Sequence, residues 1–295
     1  MSELLLRRRN LLLRKQEELN IRAVCFEADG EQTVSITKVG SAPTITMQYS
    51  YDGVNWDAWD LTALPFGGST KVYIRGVGNT TFATNDSNNT FTFGTDSYVY
   101  VSGIAESLLD GDNEVLQYSI SYTFRCLFKD QIALREADRL RFEAMSISEA
   151  CYISMFANCS NLLSTPELPA TNLSTNSYRV MFQNCKSLIK GPSILPATII
   201  RDWSYSYMFK GCTSLVNAPE LPAETLSKSC YYQMFYDCKS LKTIRCRAKV
   251  TASSATLYWL YGASSSGTLY GHSEYGWSSG VSGIPSGWEF VELTD

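Results

Sequence analysis

The chain has 295 residues, of which 44% are hydrophobic and 13% aromatic, and this predicts one large or two ordinary globular domains. Its formal net charge of −4 argues against nucleic acid as a partner. No stretch approaches the roughly 20 apolar residues of a membrane-spanning helix, so we expect no membrane insertion. The early leucines are split by "RRRN", unlike the apolar segment of a secretory signal.

Residues 1–20, "MSELLLRRRNLLLRKQEELN", predict an amphipathic helix, because good helix formers dominate and Gly and Pro are absent. Leucines recur after seven residues beside an arginine-rich face. Two heptads are too short for a stable isolated helix, so it needs a partner. Packing on its own domain, docking to another subunit or an assembly, and lying on a membrane surface all stay open. The residues predicted to dock or oligomerise are Leu4, Leu5, Arg8, Leu11, Leu12 and Arg14.

Residues 21–106 predict a small antiparallel β-sandwich. Short runs of β-branched and aromatic residues alternate with turn sequences such as "YDGVNW" and "TNDSNN". Trp56 and Trp59 follow a "DG" turn, where they either stack on a sugar ring or pack over one end of the sandwich, and packing is the favoured interpretation. The predicted strands are "TVSITKV", "TITMQYSY", "KVYIRGV", "TFTFG" and "SYVYVSG".

A repeat follows a predicted linker or cap at residues 107–121. The sequences "YISMFANCSNL", "YRVMFQNCKSL", "YSYMFKGCTSL" and "YYQMFYDCKSL" align, and their methionines are 26, 27 and 26 residues apart. The sequence "FRCLFKDQIAL" at 124–134 is interpreted as a degenerate first unit of the repeat. Leu260 and Tyr261 in "LYWLYGA" take the Met-Phe positions of another at the end, which makes about six units.

Offsets of −3, 0, +4 and +7 from each methionine predict one face of a short helical segment. Such a face is too small to be buried within one unit, so stacked units are expected to share one continuous core, as in a solenoid. Leu168, Leu195 and Leu221 are expected to point inward from short proline-containing extended segments. The predicted core residues are Met155, Cys159, Met181, Cys185, Met208, Cys212, Met234 and Cys238.

The four cysteines of this ladder are predicted to be buried thiols that act as small hydrophobic side chains. Stacked units about 4.8 Å apart would bring their Cα atoms within disulfide range, so a disulfide between units stays an alternative, as does a metal. No CxxC pair is present, and the single histidine, His272, lies alone in "YGHSEYG". We therefore expect no metal and no cofactor.

The repeats resemble the BspA-like (Treponema pallidum-type) leucine-rich repeat, in which an aromatic–Cys–Ser–Leu segment alternates with a short Leu/Ile-Pro strand. "YYQMFYDCKSL" and "APELPAETLSKSCYYQMF" carry the resemblance, which covers about residues 122–270. It implies a right-handed solenoid, found in surface and adhesive proteins of gut and oral anaerobes and in their phages. The predicted fold is mostly β: an N-terminal helix, a small antiparallel β-sandwich, a right-handed leucine-rich-repeat solenoid of about six coils, and a cap at 271–295.

Three classes of function are weighed. A glycan-acting enzyme is the least favoured, because the lone histidine has no triad context, no GxSxG occurs, and Glu167 and Glu220 read as polar residues of repeated strands. A bacterial cell-surface adhesin fits the repeats but shows no export signal. The sequence favours a non-enzymatic virion protein of a tailed phage, of the fibre, spike or decoration type.

In that interpretation the N-terminal helix binds other virion proteins or further copies of the chain, as in a homotrimer. The repeats then present a surface to host glycans or proteins. Trp203, Tyr232 and Tyr236 are the candidate ligand contacts, and Tyr205 is a weaker one because it shares the predicted core position at −3.

Overall fold

The computed structural model describes residues 21–66, 70–95, 97–112, 120–249, 254–273 and 276–294. The predicted helix at 1–20 and its docking residues lie outside these ranges. The described chain is mostly β, and its one helical element is a short 3₁₀ helix, Ala105–Leu108. None of its helices is long and apolar enough to cross a membrane. The strands are β1 Val24–Ala28, β2 Thr33–Val39, β3 Met47–Ser50, β4 Asp57–Trp59, β5 Leu64–Pro65, β6 Lys71–Gly76, β7 Asn88–Phe93, β8 Val99–Ile104, β9 Leu134–Arg141, β10 Thr243–Arg245, β11 Gly267–Gly271 and β12 Trp288–Glu292.

Strands β1 to β9 form two open sheets that pack face to face. One sheet has the order β4-β3-β6-β1-β8-β9, and the other has the order β5-β2-β7. Phe26 of β1 contacts Phe91 and Phe93 of β7 edge to face, with ring centroids 5.0 and 5.1 Å apart. Alternating burial along β6 shows how period-two sequences place one face in the core. All five strands predicted from the sequence are present.

Three strands of the larger sheet were not predicted: the three-residue strand β4, the strand β1 and the strand β9. The central strand β1, "VCFEA", is buried at four of its five residues and therefore lacks a polar alternation. Strand β9, "LREADRLR", is highly charged, yet it pairs in parallel with β8 at the sheet edge, where charged side chains are tolerated. Since β9 follows residues 107–121, the larger sheet includes chain from both sides of that segment.

The segments that carry Tyr, Met, Phe and Cys form ribbons of consecutive turns, which we call the turn ribbons (149–159, 175–185, 202–212 and 228–238). Ser154 has a φ of 58°, and the residues four before and four after it also have positive φ. The N–H of Met155 donates to the Tyr152 carbonyl in the same ribbon, at 3.1 Å. The next N–H, of Phe156, donates to the Met181 carbonyl in the following ribbon, at 2.9 Å.

The helix predicted from the offsets is therefore wrong for these segments. A helix sends every N–H back along its own chain, whereas the turn ribbon sends alternate N–H groups to the neighbouring repeat. A left-handed residue at every fourth position gives the same four-residue spacing of inward side chains. All eight predicted core residues, Met155, Cys159, Met181, Cys185, Met208, Cys212, Met234 and Cys238, have no exposed surface.

Aromatic rings run through successive repeats in two columns, and they are stacked at every step except the tilted pair Tyr205–Tyr231. One contains Phe128, Phe156, Phe182, Phe209 and Phe235, with centroids 5.2 to 5.6 Å apart. The other contains Phe124, Tyr152, Tyr178, Tyr205, Tyr231 and Trp259, at 5.4 to 6.5 Å. Phe128 also stacks on Phe91 of the sandwich at 5.5 Å. The sandwich and the repeats consequently share one hydrophobic core.

The last repeat begins one residue earlier than the sequence predicted. The Trp259 carbonyl accepts the N–H of Phe235 at 2.8 Å, the role that the Met234 carbonyl has for Phe209 one repeat earlier. Trp259 thus takes the methionine position, and Leu260 takes the phenylalanine position. Tyr261 moves out of the core and is 53% exposed. The register changes because the large indole continues the ring column on Tyr231.

The proline-containing segments form the other side of each repeat. Leu168, Leu195 and Leu221 are buried there, as predicted. Isolated parallel bridges join neighbouring segments, for example Ile194 to Glu220. At the C-terminal end the parallel sheet β10-β11-β12 continues this side of the stack.

Candidate ligand-binding surface

The cysteine ladder is structural. Burial raises the pKa of Cys159 to about 12 and raises that of Cys185 well above its usual value, so both are neutral thiols at physiological pH. The ladder thiols are free, which excludes the alternative of disulfides between repeats. Each S–H donates to a phenylalanine carbonyl of the preceding repeat: Cys159 to Phe128 at 2.9 Å, Cys185 to Phe156 at 3.2 Å, Cys212 to Phe182 at 3.1 Å and Cys238 to Phe209 at 3.0 Å.

Glu167 and His272, the polar side chains that the sequence offers for catalysis or metal binding, each lie close to another polar residue. The Glu167 carboxylate accepts hydrogen bonds from the backbone N–H and the hydroxyl of Ser193, at 2.9 and 2.8 Å, and so joins two repeats. His272 lies 3.6 Å from a carboxylate oxygen of Glu292. In the part of the chain that the structure describes, no three His, Cys, Asp or Glu side chains cluster closely enough to hold a metal ion.

Six aromatic side chains lie at the surface of three successive repeats in two groups of contacting rings, which we together call the aromatic ridge (Trp203, Tyr207, Tyr232, Tyr236, Tyr258 and Tyr261). Tyr232 contacts Trp203 and Tyr207 edge to face, with centroids 5.8 and 5.1 Å apart. Tyr236 stacks on Tyr261 at 5.2 Å, and Tyr261 contacts Tyr258 at 5.7 Å. Lys210 lies against both Tyr207 and Tyr236 and so joins the two groups, which places the three predicted ligand contacts, Trp203, Tyr232 and Tyr236, on one surface.

The turn ribbon explains why these rings face outward. Positions −3, 0, +1 and +4 relative to the methionine are buried in all four ribbons, whereas every residue at −1, and the aromatic residues Tyr232 at −2 and Tyr236 at +2, keep exposed surface. Tyr231 is thus buried while its neighbour Tyr232 is half-buried at the surface. Tyr236 occupies +2, and Tyr261 occupies the same position in the corrected register of the last repeat.

Sequence reasoning missed half of the ridge. Tyr207 immediately precedes Met208, a position for which the helix interpretation predicts no direction of the side chain. The one-residue register error places Tyr261 in the core, and the sequence alone predicts no role for Tyr258. The available signal was the alternation of inward and outward residues along "YYQMFYDC", which continues into "LYWLYG".

Two cations lie against these rings. The Arg179 guanidinium carbon is 5.5 Å from the Trp203 ring centroid and 5.9 Å from that of Tyr207. The Lys210 ammonium is 5.2 Å from the Tyr207 centroid and 4.5 Å from that of Tyr236. These distances are within the range of cation–π attraction. The ridge consequently combines aromatic faces with positive charge.

Hydrogen bonds order the polar edge of the ridge. Lys210 donates to the Gln233 side-chain oxygen at 2.8 Å, and the Gln233 amide donates to the Tyr232 hydroxyl at 3.0 Å. Burial, and then hydrogen bonding with Tyr232, raise the pKa of Tyr207. Desolvation, and then the charge of Asp237, raise the pKa of Tyr236. These phenols therefore stay protonated at neutral pH and offer hydroxyl groups to a ligand.

Two clefts accompany the surface. One of about 310 Å³ lies at the C-terminal end of the ridge and is lined by Tyr261, Ala263, Val281 and Pro285, among others. The other, of about 560 Å³, lies between the sandwich and the first repeats and includes Tyr98.

The remaining aromatic candidates have structural roles or lie elsewhere. Tyr205 is buried within a ring column, which agrees with its weaker standing as a ligand contact. Trp59 is buried, stacks on Phe91 at 6.4 Å and donates to the Thr62 carbonyl, so it packs inside the sandwich. Trp56 lies beneath the Arg75 guanidinium at 4.3 Å on the sandwich surface.

No protein-family model, curated protein or solved structure matches this chain. The likeness to BspA-like repeats thus rests on the repeat residues themselves, and the aromatic ridge is characterised by its own chemistry.

Proposed function

We propose that this chain is a non-enzymatic virion protein of a tailed bacteriophage that adheres to host-surface glycans through the aromatic ridge. The ridge is the single observation that carries the adhesive role. Amphipathic tyrosine and tryptophan rings combine large apolar faces with polar edges and are typical of binding surfaces. Sugars match such rings because their C–H faces are apolar and their rims carry hydroxyl groups.

The finer architecture belongs to the same proposal. The repeats form a right-handed leucine-rich-repeat solenoid of about six coils, with the handedness implied by the BspA-like resemblance. The ring columns and the hydrogen bonds between successive ribbons support it. Such a stack holds the ridge residues of neighbouring repeats at defined spacings, which reduces the entropy lost when a ligand binds.

The N-terminal helix attaches the chain to the particle in this proposal. Leu4, Leu5, Leu11 and Leu12 supply an apolar seam, and Arg8 and Arg14 supply a basic face, for other virion proteins or for further copies of the chain. The alternative is an adhesin on a bacterial cell surface, which would use the same ridge from a different location.

A glycan-acting enzyme has less support than either binding protein. The buried ladder thiols are neutral, and Glu167 is engaged with Ser193 of the next repeat. These groups are accounted for by packing and by contacts between repeats.

Adhesion is tested with the full-length chain, because Phe128 packs on Phe91 and β9 pairs with β8. We expect a Tyr232→Ala/Tyr236→Ala variant to bind permissive host cells or their capsular polysaccharide at least about tenfold more weakly. Tyr51→Ala is the matched control, since Tyr51 is 41% exposed on the sandwich. Equal binding by both variants and the wild type would exclude the ridge.

Attachment is tested by deleting residues 1–20. Particles assembled with the truncated chain should lack it, while particles made with the full chain carry it. Truncated protein retained in particles would refute the anchoring role. Full-length protein found on the cell envelope and absent from particles would favour the bacterial adhesin.

A further inference from the structure

The two cations of the ridge have no acidic partner. Arg179 and Lys210 form no ion pair among the residues that the structure describes, unlike Lys249 and Arg75, which pair with Glu224 and Asp112. The turn ribbons that carry the ridge contain two acidic residues, Asp202, which accepts the N–H of Lys228, and Asp237, which follows Tyr236. Positive charge at the centre of the ridge is therefore left for an external group.

Arg179 is held in place by packing. Its guanidinium lies against the rings of Trp203 and Tyr207, and its Nε is buried with no hydrogen-bond partner. A buried unpaired donor is costly, and native proteins retain few of them. A guanidinium fixed in this way matches the two oxygens of a carboxylate or sulfate.

Lys210 flanks the Tyr207 ring from the same turn ribbon as this tyrosine, one repeat after Arg179. Both cations lie within 5.9 Å of the Tyr207 centroid, and Lys210 keeps a single hydrogen-bond acceptor, Gln233. An ammonium has three donors, so two remain for a ligand or water. One anionic group near the Tyr207 hydroxyl can thus approach both charges.

We propose that Arg179, Tyr207 and Lys210 form a subsite for an anionic sugar, a uronate or a sulfated residue, within an acidic polysaccharide. This inference rests on the proposed glycan adhesion and adds the ligand class. The sugar's charged group pairs with the cations, and neighbouring sugars lie along Tyr236 and Tyr261.

A glycan fits this surface better than an acidic protein segment does. The most exposed aliphatic side chains of the repeats, Ile189 and Ile199, are not part of the ridge. The ridge offers aromatic faces, hydroxyl groups and an amide, which complement a hydroxylated chain. Its rings also follow one another across repeats, as a linear polymer requires.

The experiment measures binding of the full-length chain to polygalacturonate, to chondroitin sulfate, to neutral dextran and to polyglutamate at near-physiological salt. We expect at least one acidic polysaccharide to bind more tightly than dextran. An Arg179→Gln/Lys210→Gln variant should bind that polymer about tenfold more weakly. The control, Lys186→Gln/Lys239→Gln, removes the same charge from exposed lysines of other repeat positions and should change binding less than about twofold.

Each outcome separates the hypotheses. Preference for polygalacturonate or for chondroitin sulfate identifies the anionic group as carboxylate or sulfate. Equal losses in the two variants would show unspecific charge attraction and overturn the subsite. Equal competition by polyglutamate would make the partner an acidic protein. Dextran or host-capsule binding that depends on Tyr232 and Tyr236 but shows no preference for acidic polymers would overturn the subsite and leave glycan adhesion standing.

Discussion

At the scale of single residues, each ladder cysteine combines dense packing with one weak hydrogen bond. The Cys185 thiol has no exposed surface and donates to the Phe156 carbonyl, which also accepts the backbone N–H of Cys159 in its own ribbon. The same arrangement recurs in the other ladder repeats. The packing between neighbouring ribbons therefore limits the size of the side chain and orients its S–H group. Cysteine suits this position because its side chain is small enough for the available space and its S–H group donates a weak hydrogen bond to the carbonyl.

Cys185→Ala should lower the free energy of unfolding by about 1–2 kcal/mol, because it removes a small buried group and its hydrogen bond. Chemical denaturation followed by circular dichroism measures the change. Glycan binding by the folded variant should equal that of the wild type. A variant that folds normally and loses its ligand would show that the thiol has a functional role.

Buried thiols also make stability depend on pH. Burial raises the pKa of Cys159, Cys230 and Cys246 from the usual 9.0 to about 12, so the folded chain holds protons that the unfolded chain releases. Their contribution to stability is complete below pH 9 and is lost as the pH rises toward 12. At about pH 10 each thiol should cost about 1.4 kcal/mol, or about 4 kcal/mol for the three.

Denaturation of the reduced protein at several pH values tests this. The free energy of unfolding should fall steeply above pH 9. A Cys159→Ala/Cys246→Ala variant, less stable at neutral pH, should show a shallower fall. A flat profile up to about pH 10 would contradict burial of the thiols.

At the scale of elements, the turn ribbon shows what periodicity can and cannot predict. The buried residues were predictable, because Tyr, Met, Phe, Cys and Leu recur at the same offsets in four repeats. The backbone was not, because an α-helix and a run of turns with a left-handed residue at every fourth position bury the same side chains. The residues at the left-handed positions, such as Asn158 and Asn184, were the unused signal, since Asn tolerates positive φ.

Val180 occupies one of these left-handed positions with a φ of 64°. A β-branched residue is strained there, so Val180→Asn should raise the free energy of unfolding by about 1 kcal/mol. Ile153→Asn is the control, because Ile153 is also half-buried in a turn ribbon and lies at a position without positive φ. Thermal melting of both variants measures the effect. A loss of stability in both would contradict the assigned backbone.

At the scale of the whole molecule, the sandwich and the repeats behave as one packed body. Phe128 contacts Phe26 and Phe91 on one side and Phe156 on the other. The sequence predicted the sandwich, the repeats and a segment between them. It did not predict β9, because the many charged residues of this strand obscure the apolar pattern of a strand. Strand β9 nevertheless pairs with β8, which lies on the other side of residues 107–121 in the sequence.

Phe128→Ala should cost about 3–5 kcal/mol, because it leaves a cavity where the two parts meet. Hydrogen exchange should become faster in both the sandwich strands and the first repeats. Phe235→Ala, at the far end of the same column, should accelerate exchange in the last repeats and leave the sandwich unchanged. Sandwich exchange that does not respond to Phe128→Ala would show that the two parts are energetically independent.

The most direct test of ligand binding by the ridge is oxidative footprinting of the full-length chain with and without its host polysaccharide. Tyr232, Tyr236 and Tyr261 should be protected when the polysaccharide is bound. Tyr51 and Tyr98, which are 41% and 40% exposed on the sandwich, should react equally in both states. Protection of Tyr98 with unchanged reactivity along the ridge would move the binding site to the cleft between the sandwich and the first repeats, and would contradict the proposed function of the ridge.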